Sequence, residues 1–141
     1  MKFIKIILIL SFINSLAYAD KDMKIGSKGN LNEVNRIVKV VMYDNYYEPS
    51  SFKIKAGETI KFELVNAGEL VHEFNIANKM MHMKHQPEME KMVESEILFA
   101  DSIDKNKMKK MAKINKSMGH SHSNSVLLEP KQKGYIIWGP I

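Results

Sequence analysis

The sequence predicts an all-β fold: an antiparallel sandwich with a mostly helical Met/His-rich insertion. Three observations support it. Between Arg36 and Ile76, apolar and charged residues alternate in short runs of strand length, separated by Gly, Pro and Asn turns. From Asn78 to Asn124 the alternation stops and Lys, Met and His take over, and from Ser125 it resumes. The 141 residues are 45% hydrophobic, which suits one domain with a real core and is too apolar for a disordered chain.

In chain order, Lys2 and Lys5 precede an apolar run from Ile6 to Ile13, and Ala17-Tyr18-Ala19 offers a small-x-small cleavage site. Residues 1–19 are therefore expected to be a secretory signal peptide. The run stops at Asn14, short of the ~20 apolar residues a membrane span needs, so no transmembrane anchor is expected after cleavage. Residues 20–35, polar and rich in Gly and Asn, are expected to be a flexible leader. The domain proper then covers 36–141. Ile37 to Met42 is a β-branched run that predicts a strand, and Glu48-Pro49-Ser50-Ser51 a turn. Phe52-Lys53-Ile54-Lys55, Thr59 to Val65 and Leu70 to Ile76 predict three more strands, with turns at Ala56-Gly57-Glu58 and Asn66 to Glu69. Inside the insertion (about 78–124), Pro87 suits the first turn of one helix, and Met108, Met111 and Ala112 mark a second. Ser125 to Glu129 and Gly134 to Trp138 predict two last strands around Pro130-Lys131-Gln132-Lys133.

Composition excludes several functions. With no cysteine there is no disulfide framework, Cys-based zinc finger, iron–sulfur cluster or thiol nucleophile in these residues. The net charge is +5, but Arg36 is the only arginine. Lysine without arginine reads as a solubilising surface rather than a nucleic-acid interface. Nor is an enzyme expected. Gly57 and Gly68 sit in strand turns, not in a phosphate loop, and Ser121 and Ser123 lie in a polar loop unsuited to holding a nucleophile–base pair.

What stands out chemically is five His and eleven Met in a cysteine-free chain. Thioether suits Cu(I), and imidazole suits Cu(II), Zn and Ni. Met80, Met81, His82, Met83 and His85 are packed into six residues, and Met118, His120 and His122 into five beside Gly119. In an extended segment Met81 and Met83 share a side, as do His120 and His122. For Met42, Met89, Met92, Met108 and Met111, at strand or helical spacing, core filling is the better reading. For Met80 to His85 metal contact competes with a solvated loop.

His72 differs, lying in a predicted strand. Alone, a strand histidine is usually a packed, hydrogen-bonded residue. Its context, however, resembles the N-terminal half of bacterial cupredoxin-like (plastocyanin/azurin-type blue copper) proteins. The matching pieces are Met42-x-Asp44, Tyr47-x-Pro49, Phe52 to Lys55 with Ala56 to Phe62, Asn66-x-Gly68, and Val71-His72-Glu73-Phe74, resuming at Val126 to Pro130 with Gly134 and Trp138. The resemblance implies a Greek-key β-sandwich in an oxidising, periplasmic compartment. It also implies one copper ion for electron transfer or copper handling, with His72 as the first ligand and an envelope redox or copper-transfer protein as partner. The family's remaining ligands, a Cys, a His and a Met, follow Trp138, whereas here Gly139-Pro140-Ile141 ends the chain. By that resemblance the chain is C-terminally truncated: it lacks the last strand or strands, has an open sheet edge, and cannot complete a type 1 copper site from its own residues. The leading expectation is an exported copper-handling protein using His72, Met80, Met81, His82, Met83, His85, Met118, His120 and His122. The alternatives are a metal-free β-sandwich interaction module and a non-functional remnant of an electron-transfer cupredoxin.

Overall fold

The computed structural model describes residues 25–141, so the signal peptide expected over 1–19 and the first part of the expected leader lie outside the described residues. Among the described residues, six strands and two helices make up the fold: β1 (Arg36–Met42), β2 (Tyr47–Glu48), β3 (Ile60–Asn66), β4 (His72–Asn75), α1 (Lys79–Glu94), α2 (Lys105–Ile114), β5 (Ser125–Leu128) and β6 (Lys133–Trp138). Short 3-10 turns lie at Leu31–Glu33 and Lys116–Gly119.

One sheet has the order β2-β1-β3-β6 and the other pairs β4 with β5. β3 shows why these residues form a sandwich. Ile60, Phe62, Leu64 and Asn66 are buried and the residues between them are not, which is the period-two pattern of a half-covered strand. Val40 and Met42 of β1 and Ile136 and Trp138 of β6 join the buried side, and Phe74 of β4 and Leu128 of β5 close over it from the second sheet. Phe62 and Phe74 pack within this core with ring centroids 5.3 Å apart, and the exposed Phe52 packs on Phe62 from the rim at 5.4 Å. The pairing is antiparallel except for β1 with β3, which is parallel and joins Arg36 to Ile60 and Met42 to Asn66.

Three expectations change. Phe52 to Lys55 is not a strand: no neighbour supplies a ladder, the Arg36 guanidinium binds the Lys53 carbonyl at 2.8 Å, and Phe52 packs on Phe62 as a loop side chain. The expected flexible leader is tied down from Ile25 onward. The Trp138 indole donates to the Ile25 carbonyl at 2.7 Å, Gly29 N–H to Ile137 at 3.0 Å, and Gly139 N–H to Ser27 at 2.8 Å. This segment runs along the outer side of β6, so the edge expected to be open has partners for part of its backbone. The first helix begins not near Pro87 but at Lys79, where the Asn78 side chain caps the Met81 N–H at 2.8 Å. Pro87 therefore lies inside α1.

β5 divides two cores. Val126 and Leu128 face the sandwich, while Leu127 faces a second cluster of Met92, Ile97 and Met118 under the two helices. Among the described residues no helix is long and apolar enough to cross a membrane.

Candidate metal centre

The site gathers three segments that are far apart in the chain. The first is β4. Phe74 turns into the sandwich core, so its neighbours Glu73 and Asn75 project from the opposite face, towards the insertion. The Tyr47 hydroxyl donates to the Glu73 carbonyl at 2.8 Å and fixes the strand there. The second segment is α1, where His85 and Glu88 lie three residues apart on one helix face, with Met92 a turn further on buried in the second core. The third is the loop after the 3-10 turn. Gly119 sits so close to α2 that a Cβ there would stand 2.9 Å from that of Ala112. His120 follows in a left-handed conformation (φ 44°, ψ 47°) that swings its ring back towards α1.

The result is a knot of imidazoles and carboxylates. His85 Nε2 is 3.0 Å and His120 Nε2 3.1 Å from the same Glu73 Oε1, and the two nitrogens are 3.4 Å apart. His122 Nε2 bonds Glu88 Oε1 at 2.8 Å, while the other Glu88 oxygen lies 3.8 Å from His85 Nδ1. The three rings meet edge to face, with centroids 5.1 to 5.2 Å apart. The His120 and His85 side chains are 3% and 10% exposed, that of His122 35%. Burial alone would raise the Glu73 carboxyl. The His120 hydrogen bond and the charges of His120 and His85 outweigh it and hold the group below the usual carboxylate range. Donor atoms of Glu73, His85 and His120, and those of His85, Glu88 and His122, lie close enough together to share an ion.

His72 points the other way, being adjacent to Glu73 on the strand. Its ring packs edge-on against Tyr47, and Nε2 is 3.0 Å from Asp44 Oδ1. Asp44 also accepts from the Glu69 and Leu70 N–H groups, and the His72 hydrogen bond is the main cause holding its carboxyl low. Asn66, fully buried, binds the Leu70 and Leu128 carbonyls and receives the Gly68 N–H, shaping the turn that delivers His72. The pieces Met42-x-Asp44, Asn66-x-Gly68 and His72 thus come together in space.

The methionines divide differently from their sequence cluster. In α1, Met80 and Met83 are exposed and so is His82. Met81, one turn before His85, lines the groove shared by His85, Glu88 and His122. Met118 is 3% exposed and packed in the second core. The sequence does not single out Glu73 or Glu88. Their signal was present: Glu88 stands at helical spacing from His85 once α1 starts at its Asn78 cap, and Glu73 is the outward neighbour of His72.

Two kinds of likeness to other proteins accompany this geometry. A cupredoxin-like domain family matches residues 6–102. The copper-resistant cuproprotein CopI of Pseudomonas aeruginosa is 37% identical over 119 residues, covering 80% of this chain and 66% of the relative. A CopI of Rubrivivax gelatinosus is 32% identical over 74 residues, 52% of this chain and 45% of the relative. The chain thus spans less than two thirds of the length of these curated relatives. No solved structure gives a significant match.

Proposed function

The chain belongs to the cupredoxin-like domain family, and from that premise we propose that it is an exported, periplasmic copper-binding protein. It handles copper through His and Met side chains and performs no catalysis. The observation that carries this reading is the convergence of His85 and His120 on Glu73, with His122 and Met81 alongside. The likeness to two copper-resistance proteins supports copper as the ion.

A type 1 copper centre does not fit these residues as its sole source of ligands. It requires a thiolate beside its imidazoles, and the sequence holds no cysteine. His72, hydrogen-bonded to Asp44, supplies one imidazole there. Copper held by this chain alone is held instead by imidazole, carboxylate and thioether. His85, His120 and His122 are the main donors, Met81 is the thioether lining their groove, and Met80, His82 and Met83 form an exposed capture surface on α1. An envelope redox or copper-transfer protein is the partner this role implies.

The test is to load the purified protein with copper and count bound metal after gel filtration. One ion or more per chain is expected; no retained copper overturns the reading. A metal-free interaction module is the competing reading, favoured by the two-stranded β4–β5 sheet, whose outer edges pair with no other named strand among the described residues. Unchanged thermal stability with copper, together with a stable complex formed through that edge, is the outcome that selects it.

A further inference from the structure

We infer that the insertion builds a site for oxidised, divalent copper, distinct from the His72 position. Glu73, His85 and His120 are its ligands, Glu88 is the carboxylate that faces the second nitrogen of His85, and His122, held by Glu88, stands at its mouth. This inference rests on the copper reading above and adds which ion and which atoms.

With metal–nitrogen bonds of about 2.0–2.1 Å, neighbouring ligand atoms stand about 2.9 Å apart at right angles and about 3.4 Å apart in a tetrahedron. The three separations among Glu73 Oε1, His85 Nε2 and His120 Nε2 are 3.0, 3.1 and 3.4 Å. These atoms therefore already form one triangular face of a coordination sphere. Hydrogen bonding accounts for both nitrogens on Glu73, whose carboxylate can accept from each, but when both donate to it neither is left to accept from the other across their 3.4 Å separation. A shared cation satisfies all three lone pairs at once.

The surroundings supply what such a face needs. His85 presents Nε2 to Glu73 while Nδ1 faces Glu88 at 3.8 Å, the arrangement in which a ligating ring directs its other nitrogen at a carboxylate. Glu88 also holds His122 at 2.8 Å, keeping that ring within 5.2 Å of both others. His120 and His85 are almost enclosed and His122 is partly exposed, so entry is from the His122 side.

The donors decide the oxidation state. Imidazole and carboxylate favour divalent ions, and in such sites Cu(II) binds most tightly of the first-row series, ahead of Zn(II). Cu(I) prefers thioether. The methionines that flank these histidines in sequence are largely absent from the cluster: Met80 and Met83 face solvent, and Met118 is buried among Met92 and Ile97. The bound ion also ties β4, α1 and the 120–122 loop together, so binding to the folded form raises its stability.

The experiment titrates the protein with Cu(II), and anaerobically with Cu(I) against a chromophoric chelator. It compares the parent with Glu73→Gln, His120→Ala and His72→Ala, reading affinity, nitrogen hyperfine structure in the electron paramagnetic spectrum, and melting temperature. Circular dichroism monitors folding, and Glu73→Gln, nearly isosteric, keeps the test valid if His120→Ala does not fold. Expected are a Cu(II)-dependent rise in melting temperature and a loss of Cu(II) affinity of about tenfold or more in Glu73→Gln and His120→Ala. Little change in either Cu(I) affinity or the His72→Ala titration is also expected. Cu(II) bound equally well by the cluster variants but lost in His72→Ala overturns this inference and leaves the copper reading standing. Failure of the parent to bind either ion overturns both.

Discussion

At the residue scale, the sequence shows which chemistry is present but not how it is arranged. His85, His120 and His122 could be singled out because imidazoles clustered in a lysine-rich stretch have no core to fill. Glu73 carries a weaker signal, its place beside His72 on the opposite face of a strand, which has meaning only once the insertion is known to pack on that face. Met118, next to Gly119 and His120, resembles a ligand in sequence, yet it fills the second core beside Met92. Gly68 shows the same dependence on tertiary contact. A Cβ there would stand 2.1 Å from Asp44 Oδ1, within the turn that carries His72. Gly68→Ala is expected to cost about 1–3 kcal/mol by overpacking, read as a lower urea midpoint. It is also expected to disturb the His72–Asp44 pair, read as a shifted His72 ring resonance. By contrast His82→Ala, at an exposed position, is expected to leave stability within about 0.5 kcal/mol of the parent.

At the element scale, strands with period-two burial were legible: β3 was expected over Thr59 to Val65 and is found at Ile60–Asn66. Phe52 to Lys55 has the same alternation but no ladder partner, and periodicity cannot reveal whether a neighbouring strand exists. α1 starts two turns before the point at which Pro87 would suit a first turn. The Asn78 cap and the packing of Met92 outweigh the cost of an interior proline. Pro87 removes the N–H that would bond the Met83 carbonyl, so Pro87→Ala is expected to stabilise the protein by up to about 3 kcal/mol, seen as a higher melting temperature with copper binding retained. α2 is tethered at its start: Lys105 and the Ile103 N–H both bind the Glu129 carboxylate, whose pKa is lowered from 4.5 first by the Lys105 hydrogen bond and then by that of Ile103. A carboxylate with a lower pKa folded than unfolded adds stability above the unfolded value, and that stability is lost as pH falls through the folded one. Melting temperature is thus expected to fall on acidification from about pH 5 to about pH 3. In Glu129→Gln that part of the slope should disappear.

At the scale of the whole molecule, the two cores are joined through β5, with Leu128 in the sandwich and Leu127 beneath the helices. The candidate ion site lies at the seam between them, taking Glu73 from the sheet and its histidines from the insertion. Phe62, fully buried at the centre of the sandwich, is the residue whose loss most directly tests that core: Phe62→Ala is expected to cost about 3–5 kcal/mol. The sandwich was legible because burial imposes a local pattern. The seam was not, because nothing in the chain's order says that residues 73, 85 and 120 meet. The central claim is that copper is held there by nitrogen and oxygen donors without a thiolate. X-ray absorption at the copper edge of the Cu(II)-loaded protein tests it most directly. The account predicts a first shell of nitrogen and oxygen at about 2.0 Å, with a multiple-scattering pattern of imidazole rings that is weakened in His120→Ala. A shell dominated by sulfur at about 2.3 Å, or an imidazole pattern unchanged in His120→Ala, contradicts it.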